Sequence, residues 1–230
     1  MSLDTEKARA EIMQRIRTNQ RRGAITQEQR AAAADYLTRH SQGPRPPTPG
    51  DLLTTFRATA ERMASTVELI EHASQAPAAV ARYLSSKSLV AKAVAWPSLA
   101  SLPWAGSGVE VEFRPPHRDE SQGADMVGIT GCFCALVETG TLVLLSGPDT
   151  PASTHLLPET HIAIVPASRL VPCMEDAFAL MRAERVGEDK LMPRAINMVS
   201  GPSRTGDIEQ TIVIGAHGPY RVHILVATAE

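Results

Sequence analysis

Apolar residues recur along the chain in two distinct rhythms, and the change of rhythm divides it. In the first third the period is helical. Ala8, Ile12 and Ile16 follow one another at four-residue steps behind Asp4, which predicts a helix over 4–19 with a thin apolar stripe. A second helical stretch covers 26–39, from Thr26 through the Ala31–Ala34 run. Gly43–Gly50, GPRPPTPG, reads as an extended linker, because its prolines fix the backbone and carry no N–H. Asp51 then opens a long helix whose stripe runs Leu53, Phe56, Ala60, Met63, Val67 and Ile70. A short helix follows near 77–86.

After residue 88 the rhythm becomes that of strands. Leu89–Trp96, Val109–Phe113, Met126–Thr130, Phe133–Glu138, Thr141–Leu145, His161–Pro166, Ala195–Ser200 and Arg221–Thr228 are expected strands. A helix near 172–184 places Met174, Ala177, Phe178 and Met181 on one face. Runs as uniformly apolar as HIAIV and HILVA suit strands covered on both faces, which is the condition of a parallel sheet. Strands alternating with helices predict an α/β layered fold. The expected organisation is a helical segment over 1–42, the linker over 43–50 and one α/β domain over 51–230.

Composition narrows the function classes. The formal charge is −2 in 230 residues, and Arg15, Arg17, Arg21, Arg22 and Arg30 are interleaved with polar and acidic residues. Such a pattern marks a solvated helix face rather than a surface that neutralises phosphates, so nucleic acid is not an expected partner. No apolar run approaches the roughly 20 residues of a membrane helix, and no membrane span is expected. The charged N-terminus, MSLDTEKARAEI, lacks the apolar core of a secretory signal. Cys132, Cys134 and Cys173 form no disulfide framework. A reducing, cytoplasmic setting is the expectation.

Three segments are candidates for chemistry. Glu138, Thr139, Gly140 and Thr141 lie between two apolar strands, with Gly140 able to make a tight turn and Glu138 at a strand end. Ser200, Gly201, Pro202, Ser203, Arg204 and Thr205 form a strand-to-loop passage, followed by Asp207 and Glu209 on an expected helical turn. Backbone amides at a helix start, with Arg204, would suit a carboxylate or phosphate. Gly215–Pro219, GAHGP, brings His217 and Gly218 to the entrance of the last strand. Each has a plain structural alternative: a glutamate capping an amide, a simple turn, a histidine in a structural hydrogen bond. Cys132 and Cys134 share a strand face and read as small buried side chains before they read as ligands. No zinc spacing, iron–sulfur cysteine run, P-loop or dinucleotide fingerprint is present, and no metal is expected.

ADMVGITGCFCALVETGTLVL, LPETHIAIVP, SGPSRTGDIE and GAHGP, in this order, resemble the LUD-domain family (DUF162), in particular its lactate-utilisation protein C type. The likeness is strong over 124–227 and looser before residue 90. It implies a mostly parallel, layered sheet like that of NagB/RpiA/CoA-transferase proteins, with an N-terminal helical extension. It further implies a role in bacterial oxidation of L-lactate to pyruvate, with iron–sulfur clusters carried only by companion proteins and no cofactor in this chain. The signature positions become candidates for a carboxylate site: Thr139, Gly140, Thr141, Ser200, Gly201, Ser203, Arg204, Thr205, Asp207, Glu209, His217 and Gly218 for binding, Glu138 and His217 for catalysis. Residues 149–155, DTPASTH, lack an arginine that relatives often place there. Three functions remain open: a carboxylate-binding component of a lactate-oxidation system, a stand-alone acyl- or CoA-transferase-like or ligase-like enzyme with Glu138 as nucleophile, and a non-catalytic interaction or regulatory subunit.

Overall fold

The computed structural model describes residues 5–21, 23–39, 41, 43–45, 47, 50–117, 124–185, 193–208 and 211–229, with the backbone alone at 185, 207, 208, 211 and 212. The chain divides into two compact units, residues 1–45 and 46–230. In the first, α1 (Glu6–Asn19) and α2 (Gln27–Arg39) bury no side chain. Thr26 and Gln29 cap α2 reciprocally, each side chain accepting the other's backbone N–H at 3.2 and 3.1 Å.

The second unit opens with α3 (Leu52–Arg62), whose start is fixed by Asp51 accepting the Leu53 N–H at 3.1 Å. α3 buries Phe56, Thr59 and Ala60. It does not run on to Ile70 as the stripe suggested. Ala64 turns left-handed (φ 66°), the Ser65 N–H closes back on the Ala60 carbonyl, and Thr66–Ile70 is the strand β1. Val67 and Ile70 satisfy helical spacing, but the backbone of β12 (Arg221–Ala227) offers this segment a full parallel ladder, and tertiary pairing overrides local period.

The remaining elements are α4 (Ala76–Ser86), β2 (Lys92–Ala95), β3 (Glu110–Glu112), β4 (Val127–Thr130), β5 (Cys134–Leu136), β6 (Thr141–Leu145), α5 (Ser153–Leu156), β7 (Thr160–Pro166), β8 (Leu170–Val171), α6 (Met174–Arg185), β9 (Ile196–Val199), β10 (Arg204–Ile208) and β11 (Thr211–Ile214). Six strands form a wholly parallel sheet in the order β1-β12-β7-β4-β2-β3. A second sheet, β8-β5-β6-β9, is mixed. β10 and β11 pair as an antiparallel ribbon where a helical turn was expected.

The alternation along each central strand sorts side chains between two cores. Ile129, Ile162, Ile164 and Leu225 face α4, while Ala163, Val165, Ile224 and Val226 meet Phe56 of α3 and Leu142 and Leu144 of the second sheet. Ala177 and Met181 of α6 cover the far side of that second sheet, against Cys134, Leu136 and Val143. The result is an α/β fold in which the large sheet is covered on both faces, the burial that its apolar strands require. Among the described residues, no helix is long and apolar enough to cross a membrane.

Three histidines are sealed into these layers. His161 shares a 2.8 Å hydrogen bond with the Thr130 hydroxyl. His223 shares one of 2.8 Å with Thr66 and stacks on Tyr83 at 3.9 Å between centroids. His155 lies edge-on to Trp96 and 5.8 Å from the His161 ring. Burial favours the neutral ring, so their pKa values fall from 6.5 to about 4 for His155, about 3 for His161 and about 4 for His223. The neighbouring His155 also opposes charge on His161, whereas Glu68, 3.8 Å from His223, works the other way.

In each case the unfolded chain takes up the proton first. Stability is therefore complete above about pH 6.5 and declines as pH falls toward 4, by up to about 1.4 kcal/mol per pH unit per histidine. Urea denaturation at pH 7.5, 6 and 5 measures this; equal stability at all three values contradicts the burial assignment.

Candidate functional site

Gly140 and Gly201 place the first two candidate segments against the end of α3. Gly140 has φ 64°, and a Cβ there would lie 2.5 Å from the Ala60 nitrogen. Gly201 has φ 77°, and its Cβ would lie 2.0 Å from the Met63 carbonyl oxygen. Only glycine permits both the left-handed backbone and such an approach. Thr59 completes the seam, donating its hydroxyl to the Val137 carbonyl at 2.8 Å. Between the two glycines a hydroxyl chain forms: Thr139 to Thr141 at 2.7 Å, and Thr141 to Ser200 by a short bond. Thr141 is buried and Thr139 is exposed.

The second and third segments also meet. The Ser203 N–H donates to the Pro219 carbonyl at 2.8 Å, and the Gly215 N–H donates to the Ser203 carbonyl at 2.9 Å. A Cβ on Gly218 would lie 3.5 Å from the Ser203 Cβ. Arg204 follows this junction on β10, paired with Ile214, and its side chain is exposed. His217 is exposed as well, in contrast to the three sealed histidines. Thr205 is half-buried and pairs with Val213.

The junction stands at the amino ends of β12 and β7, since GAHGP leads directly into Arg221, which pairs with Thr160. Open α/β sheets more often hold ligands beyond the carboxyl ends of their strands. The turn 138–141 and the loop 215–219 are each joined to the loop 200–205, through Thr141 and through Ser203.

Glu138 is drawn elsewhere. Its N–H donates to the Pro172 carbonyl at 3.1 Å, and its carboxylate accepts the Met174 N–H at 3.3 Å, at the start of α6. A carboxylate there satisfies an amide that the helix leaves open. The side chain of Asp207 and the whole of Glu209 lie outside the described residues.

Cys132 precedes β5 instead of sharing its face with Cys134, and its thiol points at the Cys134 carbonyl, 2.7 Å away. Burial raises the pKa of both thiols, to about 11 for Cys134, which keeps them protonated at neutral pH. Among the described residues, no group of three His, Cys, Asp or Glu is placed to hold a metal ion. The arginine-free segment 149–155 ends in α5, which buries Thr154 and His155 against β4. Gly128 of β4 accepts that packing, because a Cβ on it would lie 1.9 Å from the Thr154 carbonyl oxygen.

Two residues beside the junction were not singled out by sequence reasoning. Tyr220 packs beneath Gly215, whose φ is 82°, and its N–H donates to the Glu159 carbonyl at 3.0 Å. Arg221 lays its guanidinium 4.1 Å from the Tyr220 ring centroid and donates from Nη1 to the Thr160 hydroxyl at 3.3 Å. The only sequence signal was an aromatic–arginine pair directly after a Gly-Pro turn.

The LUD domain family model matches residues 53–227. Lactate utilization protein C of Bacillus licheniformis is 39% identical over 127 residues, 54% of this chain and 52% of that protein. The Bacillus subtilis protein of the same name is 38% identical over 142 residues, 61% of this chain and 56% of its own. That of Geobacillus kaustophilus is 42% identical over 102 residues, 44% of this chain and 42% of its own. The chain thus spans about half the length of the curated relatives it matches. A DUF162 family protein from Deinococcus radiodurans superposes with a TM-score of 0.55 at 23% identity, covering 80% of this chain and 100% of that one. That similarity is one of fold.

Gly201→Ala, facing a carbonyl oxygen with a left-handed backbone, should lower stability by about 3 kcal/mol. Gly206→Ala, whose Cβ would meet nothing within 4 Å, should change it by less than about 0.5 kcal/mol. Chemical denaturation of the two variants checks the seam; equal effects would refute it.

Proposed function

The chain belongs to the LUD domain family, and from that premise we propose that it is a component of a system oxidising L-lactate to pyruvate, binding a small carboxylate at the junction of the Ser200–Thr205 and Gly215–Pro219 loops. Its iron–sulfur chemistry would reside in companion proteins, with which this chain would assemble in the cytoplasm. The observation that carries the reading is the pair of hydrogen bonds locking Ser203 to Pro219 and Gly215. They close the base of the β10–β11 hairpin and hold its two flanking loops together, with Arg204 and His217 exposed beside them. A guanidinium and an imidazole next to backbone-rich loops supply the charge-assisted donors that a carboxylate needs.

Of the three functions raised by the sequence, geometry favours this one. The Glu138 carboxylate is committed to the amide at the start of α6, which is not the posture of a free nucleophile. The hydroxyl chain Thr139–Thr141–Ser200 anchors the start of the 200–205 loop from the other side.

A strain deleted for this chain should lose growth on L-lactate and stop consuming it. Complementation with Arg204→Ala should restore lactate consumption poorly, whereas Arg9→Ala, on the exposed face of α1, should restore it fully. Normal lactate consumption in the deletion strain removes the proposal. Equal rescue by the two variants removes the role given to Arg204.

A further inference from the structure

Among the described arginines of the second unit, Arg114, Arg169 and Arg221 are half-buried, and the first two of these meet a carboxylate. Arg57, Arg82 and Arg169 each meet a glutamate, at Glu61, Glu68 and Glu184. Arg114, 24% exposed, grips Asp125 with both terminal nitrogens at 2.9 and 3.0 Å. Arg221 is half-buried too, yet among the described residues no carboxylate pairs with it. A guanidinium withdrawn from water without a counter-charge is costly, and an anion relieves that cost.

The group is also held still. Its Nη1 is tied to Thr160 and its plane rests against the Tyr220 ring, so little side-chain freedom remains to be lost on binding. Its Nε–Nη2 edge, the side that meets a carboxylate with two parallel hydrogen bonds, has no partner among the described residues. The location fits as well. Arg221 lies two residues beyond Pro219, whose carbonyl holds Ser203, and Tyr220 connects it to Gly215 of the same loop. Arg204 is exposed on a ribbon and has no such preorganisation.

We propose that Arg221 is the principal cationic contact of the junction, gripping a small carboxylate through its Nε–Nη2 edge, with Tyr220 as its positioning residue. The inference rests on the carboxylate reading above and adds the residue that fixes the ligand's charge. Arg204 and His217 then form the outer, solvent-facing side of the site.

The test is binding to the full chain at low ionic strength, by calorimetry, with L-lactate, pyruvate and inorganic phosphate as separate probes. Arg221→Gln should weaken carboxylate binding by about ten- to a hundredfold, the loss expected for charge-assisted hydrogen bonds. Arg221→Lys, which keeps the charge but loses the fork and the stacking, should fall between. Tyr220→Leu should weaken binding by a smaller factor, and Arg204→Gln by less than Arg221→Gln. Thermal melting of each variant separates lost binding from lost folding, and the lysine variant carries the test if the glutamine variant does not fold.

Wild-type affinity in folded Arg221→Gln or Arg221→Lys, with binding lost in Arg204→Gln, overturns the role of Arg221 and leaves the carboxylate reading standing. Binding of phosphate alone, lost on changing Arg221, overturns the carboxylate assignment while keeping the residue. Wild-type protein that binds none of the three probes overturns the carboxylate reading itself, and this inference with it.

Discussion

The approach of two loop glycines to the last turn of α3 is the constraint on which the candidate site depends. Gly140 and Gly201 lie at the same end of the second sheet, before β6 and after β9, and both press on residues 59–63 so closely that a side chain on either would occupy the space of backbone atoms. Their contact sets the spacing between α3 and the strands β6 and β9, whose own antiparallel pairing, Leu142 opposite Val199, sets Thr141 beside Ser200. The loop that leaves Ser200 is then fixed in direction. Three residues later it reaches the Gly215–Pro219 loop and locks onto it through Ser203. Glycine is needed here for reach and for the sign of φ, not for looseness.

Histidine shows how burial divides the same side chain between the packed interior and the surface. His155, His161 and His223 lie inside the layers, kept neutral by desolvation and placed against Thr130, Thr66, Trp96 and Tyr83. They are titratable groups turned into packing elements. His217 is outside, on a loop anchored by backbone hydrogen bonds at both ends. A residue of that kind is free to meet ligands while the scaffold beneath it stays rigid.

The family match over 53–227 coincides closely with the second compact unit, and the likeness in fold to the Deinococcus radiodurans protein covers most of the same chain. The α1–α2 unit lies outside that family match and exposes Ile12, Ile16, Tyr36 and Leu37. The proposed carboxylate site is built wholly within the second unit. Its donors stand at the amino end of β12, on the first residue of that strand and on the hairpin and loop before it, rather than in the carboxyl-end crevice that parallel sheets usually offer.

Much of this molecule was legible in its sequence. The apolar runs of β7 and β12, the helix starts at Thr26 and Asp51, and the glycine and hydroxyl pattern of the signature loops are local facts, and they determined the α/β class, most elements and the family; the cap expected at Asp4 lies outside the described residues. Where reading failed, two local solutions were equally good. Val67 and Ile70 fit a helix as well as a strand, and only β12, some 150 residues away in sequence, selects the strand. The segment after Arg204 has the polar start of a helix but finds its partner in β11. Glu138 sits at a strand end, as the alternation indicates, yet its carboxylate goes to α6, a neighbour no periodicity reveals. The lone half-buried charge of Arg221 is likewise a property of what surrounds it. Sequence determines what a segment can form and which groups it carries. Tertiary structure decides which distant backbone satisfies it and which charges meet, because those energies belong to pairs of atoms that only the folded chain brings together.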